Sequence, residues 1–161
     1  MKVIYLAGGC FWGIEAYFKL FDWVKDTEVG YANGNYLNPK YEELKSGKAT
    51  HAETLKLTYE DSVSLELLIS TFLEVVNPYS INKQGEDEGL QYRSGIYLLD
   101  EYTLNSVKQI IKTKEKEINK GKFNIEIDIL KNYSPAEEYH QDYLDKHKDG
   151  YCHINLNKYK N

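Results

Sequence analysis

A continuous apolar run, a glycine pair and a cysteine follow one another in Val3-Ile4-Tyr5-Leu6-Ala7-Gly8-Gly9-Cys10-Phe11-Trp12-Gly13. A short apolar run that ends at glycines is typical of a strand buried on both faces. The next apolar side chains have helical spacing and are Ile14, Tyr17, Phe18 and Phe21. We therefore expect a strand, a tight turn and a helix. Cys10 should lie at the helix N-terminus, where backbone N–H groups favour a thiolate.

The rest of the chain alternates strand and helix patterns. Strands are predicted at 28–33, around 55–59, at 95–99 and at 123–129, where the alternation of apolar and polar residues is strictest. Helices are predicted at 65–76 and 104–121, and polar loops around Asn38-Pro39 and over 80–91. This order predicts an α+β fold, a mixed sheet with helices packed on it and a ferredoxin-like (split β-α-β) core.

Length and charge set the broad class of protein. The chain has 161 residues, 42% of them hydrophobic, and no repeat or linker divides it, so we expect a single catalytic domain over 1–161. The irregular segment 146–161 is predicted to be a mobile tail. A net charge of −5 argues against nucleic acid and anionic membranes as partners. The N-terminal apolar run is too short for a signal peptide or a span, so a cytoplasmic location is expected. We also expect a monomer.

The two cysteines, Cys10 and Cys152, are too few for a disulfide framework. Three interpretations of them remain, namely inert core residues, metal ligands or a redox pair. A metal site would have to combine Cys152 with the histidines His140, His147 and His153, whose spacing matches no recognised zinc site. We therefore expect neither a metal nor another cofactor.

The residues around Cys10 suggest a thiol site with an aromatic floor. Flanking glycines permit a tight turn and the close approach of a ligand to the backbone. Phe11 and Trp12 offer apolar faces that can hold a methyl or thioether group. The alternative is a buried cysteine beside two packing aromatics, which is a common role for these residue types.

Further short motifs are spread along most of the chain. They are Gly30-Tyr31-Ala32 with Gly34, Asn38-Pro39 with Tyr41, Ser46-Gly47 before His51-Ala52-Glu53, Gln84-Gly85 with Asp87 and Gly89, Gln91-Tyr92-Arg93-Ser94, Tyr139-His140-Gln141 with Tyr143-Leu144, and Gly150-Tyr151-Cys152. Together with Gly9-Cys10-Phe11-Trp12-Gly13, this series resembles the peptide methionine sulfoxide reductase A family, and it extends over about residues 4–153 in the family's order.

The resemblance implies an activity and two principal residues. Cys10 would attack the sulfur of a methionine S-sulfoxide, free or peptide-bound, releasing methionine and leaving a sulfenic acid. Glu53 would protonate the sulfoxide oxygen, which requires surroundings that raise the pKa of its carboxyl group. Without the family, Glu53 reads as a solvated charge at a strand end. A general thiol peroxidase is the alternative enzyme class, since it would share the sulfenic acid.

The resemblance also implies roles for the remaining candidate residues. Tyr41 and Tyr92 would hydrogen-bond the sulfoxide oxygen, although most of the 15 tyrosines are expected to be packing residues. Asp87 would orient water or partner groups, and its alternative is an aspartate that caps a loop. Phe11 and Trp12 would hold the substrate's methyl group.

Regeneration is implied by the second cysteine. Cys152 would attack the Cys10 sulfenic acid, and thioredoxin would reduce the resulting Cys10–Cys152 disulfide. The chain departs from some relatives because no cysteine follows Cys152 and Lys45 stands where some relatives have a cysteine. Glu86 also replaces a common small polar residue beside Asp87. It adds negative charge that would either raise carboxyl pKa values or discourage acidic substrates.

Overall fold

The computed structural model describes residues 1–159, so residues 160 and 161 of the predicted domain and tail lie outside the described residues. The strands are β1 Lys2–Ala7, β2 Val24–Ala32, β3 Ala52–Tyr59, β4 Lys83–Gln84, β5 Asp87–Glu88, β6 Gly95–Leu98, β7 Glu126–Ile129 and β8 Tyr133–Pro135. The helices are α1 Phe11–Phe18, α2 Tyr41–Ser46, α3 Leu65–Leu73, α4 Glu101–Ile118 and α5 Tyr143–Lys146. Short 3-10 turns cover Leu90–Tyr92, Glu138–His140 and Leu156–Lys158.

Within the described residues, the main sheet has six strands in the order β7-β6-β1-β3-β2-β8. β3 pairs antiparallel with both β1 and β2, so these two strands run in the same direction on either side of it and α1 connects them. β6 pairs antiparallel with the other edge of β1, and β7 runs parallel to β6. Leu6 lies opposite Leu55 on one side and Ile96 on the other, which makes the first strand of the chain a central one.

The α+β class predicted from the sequence is confirmed, because helices pack on a sheet that contains both antiparallel and parallel pairs. The finer ferredoxin-like description stays a prediction, and the order β6-β1-β3-β2 favours it.

Side-chain caps and apolar stripes explain where the two longer helices begin and how they pack. The Ser64 hydroxyl accepts the Leu67 N–H at 3.1 Å before α3, and the Asp100 carboxylate accepts the Thr103 N–H at 2.7 Å before α4. The buried side chains of α4 are spaced by three and four residues and are Leu104, Val107 and Ile111. This stripe holds α4 against the core, as its sequence pattern predicted.

The helix predicted at 65–76 ends at Leu73, and two further predicted elements are also shorter than expected. α1 ends at Phe18 because the N–H groups of Leu20 and Phe21 donate to carbonyls three residues back, which tightens the chain into a turn. The predicted strand at 123–129 is wrong over its first half. The Phe123 N–H donates to Glu115 at 2.7 Å and the Asn124 N–H to Pro78 at 2.6 Å, so neither joins a strand ladder.

Several short elements lie where the sequence suggested none. α2 occupies the predicted polar loop after Pro39 and buries a single side chain, that of Leu44, so it lacks a periodic signal. β4 and β5 form a two-stranded hairpin within the predicted loop at 80–91. β8 has three residues and pairs with the edge of β2, and β2 itself begins at Val24 rather than near residue 28.

Between residues 147 and 159 the C-terminal segment is irregular apart from the turn Leu156–Lys158. It is not separate from the core, because Ile154 is only 7% exposed and belongs to the main apolar cluster. The mobility of this tail stays a prediction.

None of the helices within residues 1–159 is both long enough and apolar enough to cross a bilayer.

Candidate active site

Cys10 lies at the junction of β1 and α1. It is the N-cap residue of α1, and the Gly13 N–H donates to its carbonyl at 3.2 Å. Gly9 reaches this turn with a φ of +84°, which a glycine adopts without strain, and a Cβ at this position would be 2.7 Å from the Cβ of Gln84. The predicted strand, turn and helix N-terminus are therefore present, and Cys10 is 7% exposed.

The prediction that this helix N-terminus favours a Cys10 thiolate is wrong. The pKa of Cys10 is raised, chiefly by burial and then by the nearby Glu53 carboxylate, while the Trp12 N–H acts in the opposite direction. Desolvation of the thiolate therefore outweighs the backbone N–H groups of the helix N-terminus. Any step that protonates Glu53 removes part of the cost of ionising Cys10.

Glu53 lies near the start of β3 and is 1% exposed, which contradicts the interpretation as a solvated strand-end charge. Its Oε1 accepts the Phe11 N–H at 3.2 Å and its Oε2 accepts the Gln91 side-chain amide at 2.6 Å. Burial, with a smaller contribution from the charge of Asp87, raises the pKa of Glu53 to about 8 against the opposing effect of these two donors. The carboxyl group is thus mostly protonated at neutral pH and points to the residue next to Cys10.

Two phenols lie close enough to the same carboxyl group for its charge to affect their pKa values. Tyr41 is the first residue of α2 and Tyr92 the last of a 3-10 turn, so they come from separate elements. Burial raises both pKa values, and the charge of Glu53 is the second cause in each case. Both phenols are consequently neutral and able to donate a hydrogen bond. The structure thus brings together Cys10, Glu53, Tyr41 and Tyr92.

Asp87 lies on β5, in the hairpin within the predicted loop at 80–91, and its side chain is 17% exposed. Its pKa is raised, mainly by burial, and the neighbouring Glu86 carboxylate contributes in the same direction. The second negative charge therefore raises a carboxyl pKa, which is one of the two effects expected from the sequence.

An aromatic wall lies on the other side of the turn. The Trp12 ring stacks on Tyr143 with centroids 3.8 Å apart and planes within 8°, and its Nε1–H donates to His140 Nδ1 at 3.0 Å. Phe11 is 1% exposed and its ring centroid lies 5.2 Å from that of His140. Trp12 is thus held in place and partly exposed, whereas Phe11 is buried.

Three residues of the site had no role assigned from the sequence. Gln91 holds Glu53, and His140 fixes Trp12 although it appeared in the sequence only as a weak metal candidate. Glu137 accepts the Tyr31 hydroxyl at 2.7 Å and the Tyr41 N–H at 3.1 Å, which ties β2 to α2. Gln91 and His140 lie inside the quoted motifs, so their motif positions were a usable signal. Glu137 gave none.

The C-terminal tail returns to the cysteine turn across 142 residues of sequence. A Cβ at Gly13 would be 3.0 Å from Cys152 Sγ and 3.1 Å from the His153 ring, which also lies against Gly9. Both cysteines are free thiols. The described residues contain no cluster of three His, Cys, Asp or Glu side chains able to hold a metal ion.

Comparison with known proteins finds similarity along nearly the whole chain. The family model described as peptide methionine sulfoxide reductase matches residues 2–161. A relative from Lachnoclostridium phytofermentans, named peptide methionine sulfoxide reductase MsrA, is 49% identical over 95% of this chain and 92% of its own length.

Solved structures extend the likeness to the fold. Mxr1 from Saccharomyces cerevisiae in its reduced form superposes with a TM-score of 0.87 at 35% identity, covering 94% of this chain and 88% of that one. A second structure, Mxr1 in complex with Trx2, gives a TM-score of 0.62 at 26% identity over 88% of this chain and 84% of that one.

Proposed function

This chain belongs to the peptide methionine sulfoxide reductase family, and from that premise we propose how its residues carry out the reaction. It is a peptide-methionine (S)-S-oxide reductase that returns methionine sulfoxide to methionine with its own thiols. The Cys10 sulfur attacks the sulfoxide sulfur, and the S–O bond of the substrate breaks as its oxygen, protonated by Glu53 and the Cys10 thiol proton, leaves as water. Water then adds to the Cys10 sulfur as the S–S bond to the substrate breaks and a proton returns to Glu53, so methionine leaves and a sulfenic acid remains on Cys10.

The observation that carries this proposal is the buried Glu53 carboxyl group beside the Cys10 turn. A sulfoxide oxygen leaves only after it has been protonated, and a carboxyl group with a pKa of about 8 holds a proton at neutral pH. Glu53 donates this proton as Cys10 attacks. The two groups are coupled electrostatically, because a neutral Glu53 removes the carboxylate charge that disfavours the Cys10 thiolate.

Binding of the substrate uses the phenols and the aromatic wall. Tyr41 and Tyr92 donate to the sulfoxide oxygen as negative charge develops on it, which is the geometry that stabilises a charged transition state. Trp12, held by His140 and Tyr143, presents an apolar face to the methyl group, with Phe11 beneath it. Asp87 orients water or partner groups at the rim.

The C-terminal tail changes position during the reaction cycle, first to admit the substrate and then to regenerate the thiols. Cys10 is 7% exposed while Cys152 and His153 lie against its neighbouring glycines, so substrate enters when this segment moves away. After the first step Cys152 attacks the sulfenic acid, and the Cys10–Cys152 disulfide forms with release of water. Thioredoxin reduces the disulfide, and the structure of the relative Mxr1 in complex with Trx2 supports this partner.

The cellular setting of the proposal follows the sequence expectations. The enzyme acts as a cytoplasmic monomer, with residues 1–161 as one catalytic domain, on free or peptide-bound methionine S-sulfoxide. The net charge of −5 supports the absence of nucleic acid and anionic membranes among its partners.

Substrate comparison tests this function against a general thiol peroxidase. A peroxidase has no use for a buried proton donor and an aromatic wall that fits a methyl group. Turnover should therefore be much faster with methionine sulfoxide than with hydrogen peroxide, and mass spectrometry should find the Cys10–Cys152 bridge after one turnover. Preference for hydrogen peroxide would assign the chain to the other class of enzyme.

Replacement of the second cysteine separates the two half-reactions. Cys152→Ser should still release about one equivalent of methionine per enzyme, since its role follows the sulfenic acid. Turnover with thioredoxin should then collapse, and a trappable sulfenic acid should accumulate on Cys10. Rapid-quench assays and trapping with a sulfenic-acid reagent measure both effects. Undiminished steady-state turnover would make Cys152 an ordinary tail residue.

Removal of the amide that binds Glu53 should shift the pH dependence of the first step. Gln91→Leu deletes a donor to the carboxylate form, so the pKa of Glu53 should rise by about one unit, the size of one hydrogen bond to a charged group. The alkaline limb of single-turnover methionine release should move to higher pH by the same amount. Gln109→Leu, on the exposed face of α4, is the matched control. An unchanged limb in Gln91→Leu would dissociate this limb from Glu53.

A further inference from the structure

His153 is a buried histidine for which the mechanism above has no use. Its side chain is 3% exposed, and within the described residues neither ring nitrogen makes a well-formed hydrogen bond, although the Gly8 backbone lies beside the ring and opposes the effect of burial on its pKa. Buried polar atoms are almost always paired, so this ring can gain a partner in another step of a reaction cycle.

The surroundings of the ring place it at the meeting point of the two cysteines. It follows Cys152 directly in the chain and lies against the glycines on both sides of Cys10. A Cβ at Gly9 would be 3.0 Å from His153 Nε2, and one at Gly13 would be 3.2 Å from Nδ1 and 3.0 Å from Cys152 Sγ.

A carboxylate faces the same ring. His153 Nδ1 lies 3.8 Å from Asp87 Oδ2, and this oxygen is also buried without a hydrogen-bond partner in the part of the chain that the structure describes. Burial lowers the pKa of His153, so the free imidazole is neutral and can accept a proton. Once protonated, it gains a partner in the Asp87 carboxylate, which stabilises the imidazolium.

From this geometry we infer that His153 is the acid–base catalyst of disulfide formation, with Asp87 as its positioning partner. The inference rests on the proposed roles of Cys10 and Cys152. The imidazole takes the proton of the Cys152 thiol, and the thiolate attacks the sulfur of the Cys10 sulfenic acid. The S–S bond forms as the S–O bond breaks. The departing oxygen keeps its own hydrogen, receives the proton from the imidazolium and leaves as water.

Burial raises the pKa of Cys152, so its thiol does not ionise unaided at neutral pH. A base is therefore needed for this half-reaction, whereas the first half-reaction already has its proton donor in Glu53. The two steps of the cycle thus use two different proton carriers, on β3 and on the tail.

The test measures both half-reactions in one single-turnover experiment on the full chain. With methionine sulfoxide as substrate, His153→Gln should release methionine at the wild-type rate. Formation of the Cys10–Cys152 disulfide should slow by about a hundredfold, the lower end of general acid–base catalysis, while the sulfenic acid accumulates. His147→Gln, an exposed histidine of the same tail, is the matched control and should leave both rates unchanged.

Imidazole rescue distinguishes chemistry from packing. Added imidazole should accelerate disulfide formation in His153→Ala but not in wild type, because a diffusing base replaces a missing proton carrier and does not restore a missing contact. A disulfide rate in His153→Gln within about threefold of wild type, or no rescue of His153→Ala, would overturn the inference. Failure of the proposed function looks different, since the wild-type enzyme itself would then release no methionine or form no Cys10–Cys152 bridge.

Discussion

Cys10→Ser should reduce methionine sulfoxide no faster than background and should form no sulfenic acid. A serine hydroxyl has nearly the same shape as the thiol, so the turn after β1 and the cap of α1 are preserved. It lacks the nucleophilicity of a thiolate and cannot be oxidised to a sulfenic acid. Single-turnover methionine release and mass spectrometry of the peptide containing residue 10 measure the two effects.

Cys152→Ser is the matched control for this substitution, because it also replaces one thiol by a hydroxyl but should keep the first burst of methionine. A retained burst in Cys10→Ser would transfer the first chemical step to another residue. Equal loss of the burst in both variants would indicate that the two thiols act together in that step.

Glu53→Gln should slow single-turnover methionine release by about a hundredfold to ten-thousandfold, the usual contribution of general acid catalysis. The amide keeps the shape of the carboxyl group but has no proton to transfer. In wild type the rate should fall as pH rises through about 8, because the protonated fraction of Glu53 disappears there. The variant should lack this limb, and ionisation of Cys10 adds a slope of the opposite sign in both proteins.

Glu15→Gln is the matched control, since Glu15 is another glutamate that is 1% exposed with a raised pKa. Its carboxylate binds Thr27 and the Asp142 N–H rather than the Cys10 turn, so the alkaline limb should remain. Asp87→Asn should slow the first step less than Glu53→Gln, because its role is orientation. A loss below about threefold in Glu53→Gln, with an unchanged pH profile, would direct the search for the proton donor to Tyr41, Tyr92 and Asp87.

The sequence predicted those features that depend on local pattern. The apolar run of β1, its glycine turn and the apolar stripe of α4 specify their elements without help from distant residues. α2 and β8 were not predicted, because each is short and is stabilised by residues that are distant in the sequence. The segment at Phe123 has the alternating apolar and polar residues of a strand. Its N–H groups instead donate hydrogen bonds to Glu115 in α4 and to the Pro78 carbonyl.

The sequence predicted which residues form the site better than it predicted their pKa values. The motifs identified Cys10 and Glu53, yet the pKa of each depends on burial by segments that meet only in the folded chain. The helix N-terminus alone predicted a favoured Cys10 thiolate, whereas enclosure of the thiol reverses that effect. Gln91 illustrates the same limit, because its motif position marks it as a site residue but does not show that it binds Glu53, 38 residues away.

The position of Cys152 and His153 against the Cys10 turn has a consequence for synthesis on the ribosome. Cys10 emerges 142 residues ahead of Cys152, a delay of roughly 7 to 28 s at ordinary rates of translation. Throughout that interval the nascent chain carries the first thiol without the tail that covers it and without its resolving partner. In a cell under oxidative stress, the Cys10 thiol of each new copy can therefore be oxidised before Cys152 is present to resolve the sulfenic acid.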